Sequence, residues 1–329
     1  MSRVSVIAVV LLSLAGSAAC LAEEPLAPQQ CWTPAALAGT EAELKHVPDH
    51  QSLDLAPLKQ VTLAPAIPVA PALRGSIRSV ELPPDKKLIA LTFDLCEENG
   101  YVSGYDGRIV DLLRARRHQG DLLAGGKWME THPERAQQLI ADPLFEVGSH
   151  GLRHLDLSHA NDATLGEEIT LTEARPMPAL RTALASRQCL VGASPPAPPG
   201  GSRCFASLWP LQRQGSRRRG ETRDFCRSQW DLVTGDPDPR VSAKTIANTI
   251  LTKAHPGAIV VAHANGRGHN TSAARLPSRC RKLKEQGYSF VTVSELIAAG
   301  KPVIATRCYQ NNPGDMTRIA TVLGPARQP

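Results

Sequence analysis

The chain has 329 residues, 42% of them hydrophobic and 21% charged, enough to bury a core in one or two domains at ~150 residues each. That composition excludes a disulfide-only miniprotein, a collagen-like chain and a wholly disordered one. Lys and Arg number 37 against 31 Asp and Glu, a net charge of +6. This surplus does not by itself favour nucleic acid, and with only 4% aromatic residues the chain is poorly equipped to stack bases or sugars along an extended face.

Residues 1–22 read as a secretory signal peptide: Arg3, an apolar stretch from Val4 to Leu14, then small residues that allow cleavage after Ala19 or Ala22. Cys20 raises a lipoprotein reading, but Ser17 stands where a lipidation box prefers a Leu-like residue. No other segment reaches the ~18 apolar residues of a membrane span. The expectation is an exported protein, periplasmic or secreted, with no integral membrane span. Seven cysteines follow Cys20. Export permits disulfides, and Cys31 and Cys308 flank the expected domain and are placed to tie its ends. No C-x-x-C pair occurs, which argues against a cysteine zinc cluster.

Residues 23–85 are rich in Pro and Ala and read as a linker or a small irregular N-terminal extension. The globular domain is expected from Lys86 to about 310, with a C-terminal tail over 311–329. KKLIALTFD reads as a buried strand ending at Asp94. GRIVDLLRARR has apolar residues at helical spacing. Thr131-His-Pro-Glu134 reads as a capping box that opens the helix PERAQQLIAD. LFEVGSH, SQWDLVTGD and GAIVVAH read as strands ending at His150, Asp236 and His263. VSAKTIANTILTKA is helical, YSFVTV a strand, and SELIAAGK a helix stopped by Gly300. Strands alternating with helices predict an α/β domain with a parallel sheet or barrel.

Four apolar strands thus end in an ionisable residue: Asp94, His150, Asp236 and His263. In α/β barrels catalytic groups gather at the C-terminal strand ends. Each residue alone also fits a strand end that merely opens a loop; four together, two of them His, point to a site. His150 and His154, in GSHGLRHLD, stand at i, i+4, a spacing that on a helical turn aims both rings at one metal ion; a chance pair has the same spacing. Asp94 is placed to act as general base on water activated by that ion, or simply to cap a turn. His263, in VVAHANGRG, is a candidate acid for the leaving group, or a core histidine bonded to backbone. Asp236, in TGDPDP, is its candidate partner, although Asp before Pro is also a common turn former. ANGRGHN lacks the features of a phosphate loop.

At these residues the sequence resembles the polysaccharide deacetylases, the NodB-homology or carbohydrate esterase family 4 group, over about residues 86–310. LTFD matches the first family motif, H-G-L-R-H the second, WDLVTGD the fourth and VVAH the fifth. The resemblance implies a distorted (β/α) barrel and metal-dependent removal of acetyl groups from a polysaccharide. It implies Asp94 as base, His150 and His154 as metal ligands, His263 as acid, Asp236 as its partner and Trp230 near the substrate pocket. One divalent ion is implied, zinc being favoured by imidazole ligands, and an acetylated polysaccharide is the expected partner, with no nucleic acid.

Two departures stand out. The family's second Asp, a metal ligand, is replaced by Leu95, which leaves Glu97, Glu98 or Asp94 to substitute; T-F-D-L-C-E also occurs in a branch of the family. The third motif, Arg-x-Pro-x-Gly, whose Arg supports the base, is not found. In its place residues 186–227 carry Pro, Arg, Ser and Cys without strand or helix period, and read as a compensated frameshift or an insertion that forms no well-packed part of the barrel. HQGDL (118–122) and RLPSRCR (275–281) break the family pattern more briefly. An inactive descendant that binds polysaccharide is therefore the alternative function. The Arg217–Arg219 run gives a third reading, binding to an anionic polymer, against which stands an ordinary solvated charge run.

Overall fold

The computed structural model describes residues 31–49, 53–56, 73, 75–155, 161–174, 204–206, 226–266 and 271–305. The signal-peptide segment, Arg217–Arg219 and the C-terminal tail lie outside them. In chain order the elements begin with α1 (Pro34–Leu37), β1 (Val47–Pro48), β2 (Gly75–Glu81), β3 (Leu88–Leu95), β4 (Tyr101–Val102) and α2 (Gly107–Arg116). Next come β5 (Gly120–Ala124), α3 (Gly126–Thr131), α4 (Pro133–Ala141), β6 (Phe145–Ser149), α5 (Asp162–Ala174), β7 (Cys204–Ala206), β8 (Cys226–Ser228) and β9 (Leu232–Val233). The chain continues through α6 (Ala243–Lys253), β10 (Ile259–His263), α7 (Thr271–Glu285), β11 (Ser289–Val291), α8 (Val293–Ala299) and β12 (Lys301–Ala305).

β3 is the hub. Its apolar run is buried on both faces, as a central parallel strand must be. It pairs in parallel with β10, with β5 along its second half and with β11 along its first. β5 pairs with β6, and β10 with β9. A second sheet runs β12-β2-β8-β7. β7 also lies beside β6, and β8 runs on within three residues into β9. The strands therefore curve round as a distorted barrel, and among the described residues no ladder joins β6 to β7. Leu91, Phe93 and Leu95 of β3, Ile109 and Leu113 of α2, and Trp128 of α3 fill the core between strands and helices.

Several local expectations give way. Thr131 ends α3 instead of capping α4, and the α4 N-cap, His132, makes no side-chain cap bond; the Thr131 hydroxyl instead donates to Glu97 Oε2 at 2.9 Å. SQWDLVTGD is two short strands, because the Gln229 N–H bonds Ile77 O on one sheet while the Asp231 N–H bonds Ile259 O on the other. HQGDL leads straight into β5, every residue of which is buried. RLPSRCR continues α7 with Pro277 inside it. Within 186–227, Cys204–Ala206 forms β7, parallel to β8; three residues are too few for a period to be legible. Residues 186–203 and 207–225 of that stretch lie outside the described residues.

Part of the Pro/Ala-rich segment is woven into the domain. β2 pairs with β12 and β8. Residues 31–48 form a belt across the helices. Arg135 of α4 grips Glu43 in a fork, at 2.6 and 3.0 Å, and donates to Ala36 O and Ala38 O. β1 pairs with β4. Cys31 is disulfide-bonded.

Candidate active site

Parallel register brings the predicted residues to one end of the barrel. His263 closes β10 directly opposite Asp94 on β3. Ala124 of β5 pairs with both Leu95 and Ser149, so His150, the next residue after β6, stands at the same level. Asp236 follows β9, which pairs with β10. Asp94 Oδ2 lies 3.4 Å from His150 Nε2 and 3.9 Å from His263 Nε2. On its other side the His263 ring meets Asp236, Nδ1 to Oδ1 at 3.1 Å, while the His263 backbone N–H donates to Asp236 Oδ2 at 2.7 Å. The Thr234 hydroxyl donates to Asp236 Oδ1 at 2.7 Å. Asp236 is thus fixed by three groups, and it orients the imidazole.

The electrostatics follow from burial. Desolvation lifts Asp94 to about 7, with His263 pulling it down and Asp236 pushing it up. Desolvation, and then His154 and His263, hold His150 well below the usual histidine value, so its ring is neutral. Burial also raises Asp236, but its bonds to His263 and Thr234 outweigh that and keep it an anion. A carboxyl poised near neutrality beside an aspartate-held imidazole can exchange protons in both directions.

His150 and His154 do meet, with ring centroids 5.5 Å apart, but not on a helix. They sit in a loop turned by two left-handed residues, Gly151 at φ 78° and His154 at φ 57°. Glu168 of α5 fixes that loop by accepting the Leu152 and Arg153 N–H groups and the Arg153 guanidinium. Both ring nitrogens of His150 are buried without a hydrogen-bond partner among the described residues, a condition that costs about 1–3 kcal/mol per group. Ligand atoms of Cys96, His150 and His154 all lie within 4.8 Å of one another. This nitrogen and sulfur donor set fits a borderline-soft divalent ion.

Of the expected carboxylate substitutes, Glu97 is engaged otherwise. Glu97 is buried, accepts the Ser103 N–H and the Thr131 hydroxyl, and lies 3.4 Å from Lys127 Nζ. That lysine donates to Glu98 O and Tyr101 O, which fastens the loop after β3. Glu98 Oε1 lies 3.7 Å from His154 Nδ1. Trp230 is the remaining residue of the expected site. It packs against the core cluster that includes Ile77, Ala90 and Ile259, and the next residue's N–H bonds Ile259 O at the beginning of β10.

The sequence matches the family model described as polysaccharide deacetylase over residues 81–180. That match spans about a third of the chain and marks a resemblance to the family. A peptidoglycan-N-acetylglucosamine deacetylase of Bacillus cereus is 28% identical over 66% of this chain and 91% of its own length. The peptidoglycan-N-acetylmuramic acid deacetylase PdaA of Bacillus subtilis is 25% identical over 64% of this chain and 72% of its own. A crystal structure of a peptidoglycan N-acetylglucosamine deacetylase superposes with a TM-score of 0.54 at 22% identity, covering 70% of this chain and 96% of that one, so the fold is shared. Polysaccharide deacetylases of this group are metalloenzymes, and the Cys/His/His group is where this deacetylase-like chain gathers metal-ligating side chains among the described residues. No helix among those residues is long and apolar enough to cross a membrane.

Proposed function

We propose that this chain hydrolyses N- or O-linked acetyl groups from an acetylated polysaccharide, with peptidoglycan glycan as the first candidate. The relatives named above supply that candidate, and the export read from residues 1–22 agrees with a cell-wall polymer. The observation that carries the reading is Asp94 Oδ2 standing between two imidazoles, at 3.4 and 3.9 Å.

His150 and His154 hold one divalent cation, zinc by donor type, which when bound supplies a Lewis acid that polarises the acetyl carbonyl and acidifies water. Asp94 takes the proton from the attacking water, a task suited to a carboxyl lifted toward neutrality by burial. The water oxygen bonds the acetyl carbon, and the bond from that carbon to the sugar nitrogen or oxygen breaks. His263, held at Nδ1 by Asp236, delivers its Nε2 proton to the departing amine or alcohol. The products are acetate and the deacetylated sugar.

A second reading, a polysaccharide-binding protein without turnover, has one observation in its favour. Asp94 Oδ1 is buried with no hydrogen-bond donor among the described residues, whereas the family pattern supports its base with an Arg. Acetate release from peptidoglycan and from acetylated oligosaccharides separates the two. The first reading expects release that a chelator abolishes and zinc restores. Retention on insoluble polysaccharide with no acetate from the zinc-loaded chain supports the second and overturns the first.

A further inference from the structure

We propose that Cys96 is the third protein ligand of the cation, as a thiolate, in place of the carboxylate that the family carries where this chain has Leu95, and that Asn265 steadies that thiolate. The inference rests on the metal reading above and extends it to a ligand type. Strand alternation is the first support. Leu95 is fully buried in the core shared with Leu91 and Phe93, on the side of β3 that faces the helices. Asp94 points the other way, and the next residue to return to its side is Cys96. A carboxylate at 95 is thus replaced by an apolar core residue, and the ligand position moves one residue on.

Geometry is the second support. Cys96 is buried and forms no disulfide, unlike Cys31. Its sulfur, with a ring nitrogen from each of His150 and His154, falls inside 4.8 Å. Tetrahedral bonds of about 2.1 Å to nitrogen and 2.3 Å to sulfur place such donors about 3.5 Å apart, so closure takes side-chain rotation on the order of 1 Å. His150, buried with neither ring nitrogen hydrogen-bonded among the described residues, independently points to a ligand at this place.

The third support comes from outside the triad. Asn265, fully buried two residues after His263, donates its amide to Cys96 Sγ and to Cys96 O, each at 3.0 Å. An N–H aimed at sulfur favours the thiolate and fixes its direction, as outer partners of metal ligands do. Glu98 at His154 Nδ1 is placed to do the same for the imidazole. On binding the ion, the thiol gives its proton to solvent and the sulfur donates its pair to the metal. An N2S donor set selects zinc or cobalt over magnesium and manganese, which prefer oxygen.

The test uses the full chain, stripped by chelator and titrated with cobalt(II) alone. The parent should bind one equivalent and develop a thiolate-to-cobalt charge-transfer band in the near ultraviolet. Cys96→Ala should abolish the band and weaken binding at least about 100-fold, beyond the 10–100-fold typical of outer-shell losses. Cys96→Asp should recover binding without the band and gain affinity for manganese. Asn265→Ala should keep the band but shift its energy. A parent that binds one cobalt without that band, in a manner lost in His150→Ala, overturns Cys96 and leaves the metal reading standing. A parent whose cobalt binding survives His150→Ala overturns both. The parent spectrum decides even if Cys96→Ala fails to fold.

Discussion

Asp94, His150, His263 and Asp236 were legible in the sequence because each closes an apolar strand, and parallel register then carries strand ends to one place. The reason His150 and His154 meet was not legible. Their spacing suggested a helical turn, but a loop bent by left-handed residues brings them together, and φ at a histidine leaves no mark in a sequence. Cys96 was hidden among the seven cysteines that follow Cys20, which invite disulfide arithmetic, and in the sequence strand alternation alone singles it out. The proton-transfer assignment predicts that Asp94→Ala and His263→Ala each lose about 10²–10⁴-fold in acetate release. His263→Ala should keep zinc binding intact by equilibrium dialysis. A fully active Asp94→Ala protein would remove the base from the scheme.

Elements with long apolar runs, such as β3 and β10, were read at close to their true bounds. Elements whose shape depends on a neighbour were not. β5 looked like an interruption because Asp121 sits in it, yet that Asp is buried and accepts the N–H of Val293 at the start of α8. Glu146 of β6, its register partner, accepts from Ser294. Burial, and then the Glu146 charge, lift the Asp121 carboxyl well above its ordinary range. The folded state therefore holds a proton there that the unfolded chain releases. Stability falls as pH climbs from the unfolded value of about 3.9 through the raised folded value, and the loss is complete above it. Asp121→Asn should raise the melting temperature at pH 7 and change it little at pH 3.5; equal effects at both pH values would refute this linkage. α7 carries the opposite lesson. Helical periodicity persisted through Pro277, which removes one backbone donor and crowds the preceding turn. Pro277→Ala should stabilise the protein in urea titration, by up to about 3 kcal/mol; a lower midpoint would show that the helix has adapted to its proline.

At the scale of the molecule, alternation of strands and helices predicted an α/β domain with a parallel sheet or barrel, the family resemblance narrowed this to a distorted barrel, and the fold shared with a solved deacetylase agrees. The N-terminal belt escaped because Pro and Ala carry no period, while its attachments are specific: Trp32 to Glu134, Gly39 to Asp111, and Arg135 to Glu43. Arg135→Ala removes a two-point ion pair and three carbonyl contacts at once. It should lower stability by about 2 kcal/mol and expose residues 31–48 to hydrogen exchange, with the exchange of β3 unchanged. Uniform acceleration across the sheet would mean that the belt is not a separable unit.

The belt also touches the two loops that finish the site. The Glu43 carbonyl accepts the Tyr105 N–H, and the Leu44 carbonyl lies so close to Gly104 and Gly266 that a Cβ on either would strike it, 2.7 and 2.6 Å away. These glycines border the segments bearing Cys96 and Asn265. The contact joins stretches separated by most of the domain, so its closure is entropically slow compared with local helix formation. A chain made N-terminus first presents the belt long before Gly266 arrives to receive it. Upon refolding from denaturant, far-ultraviolet circular dichroism should therefore recover ahead of cobalt-binding competence, with the catalytic end of the barrel the last part of the protein to set.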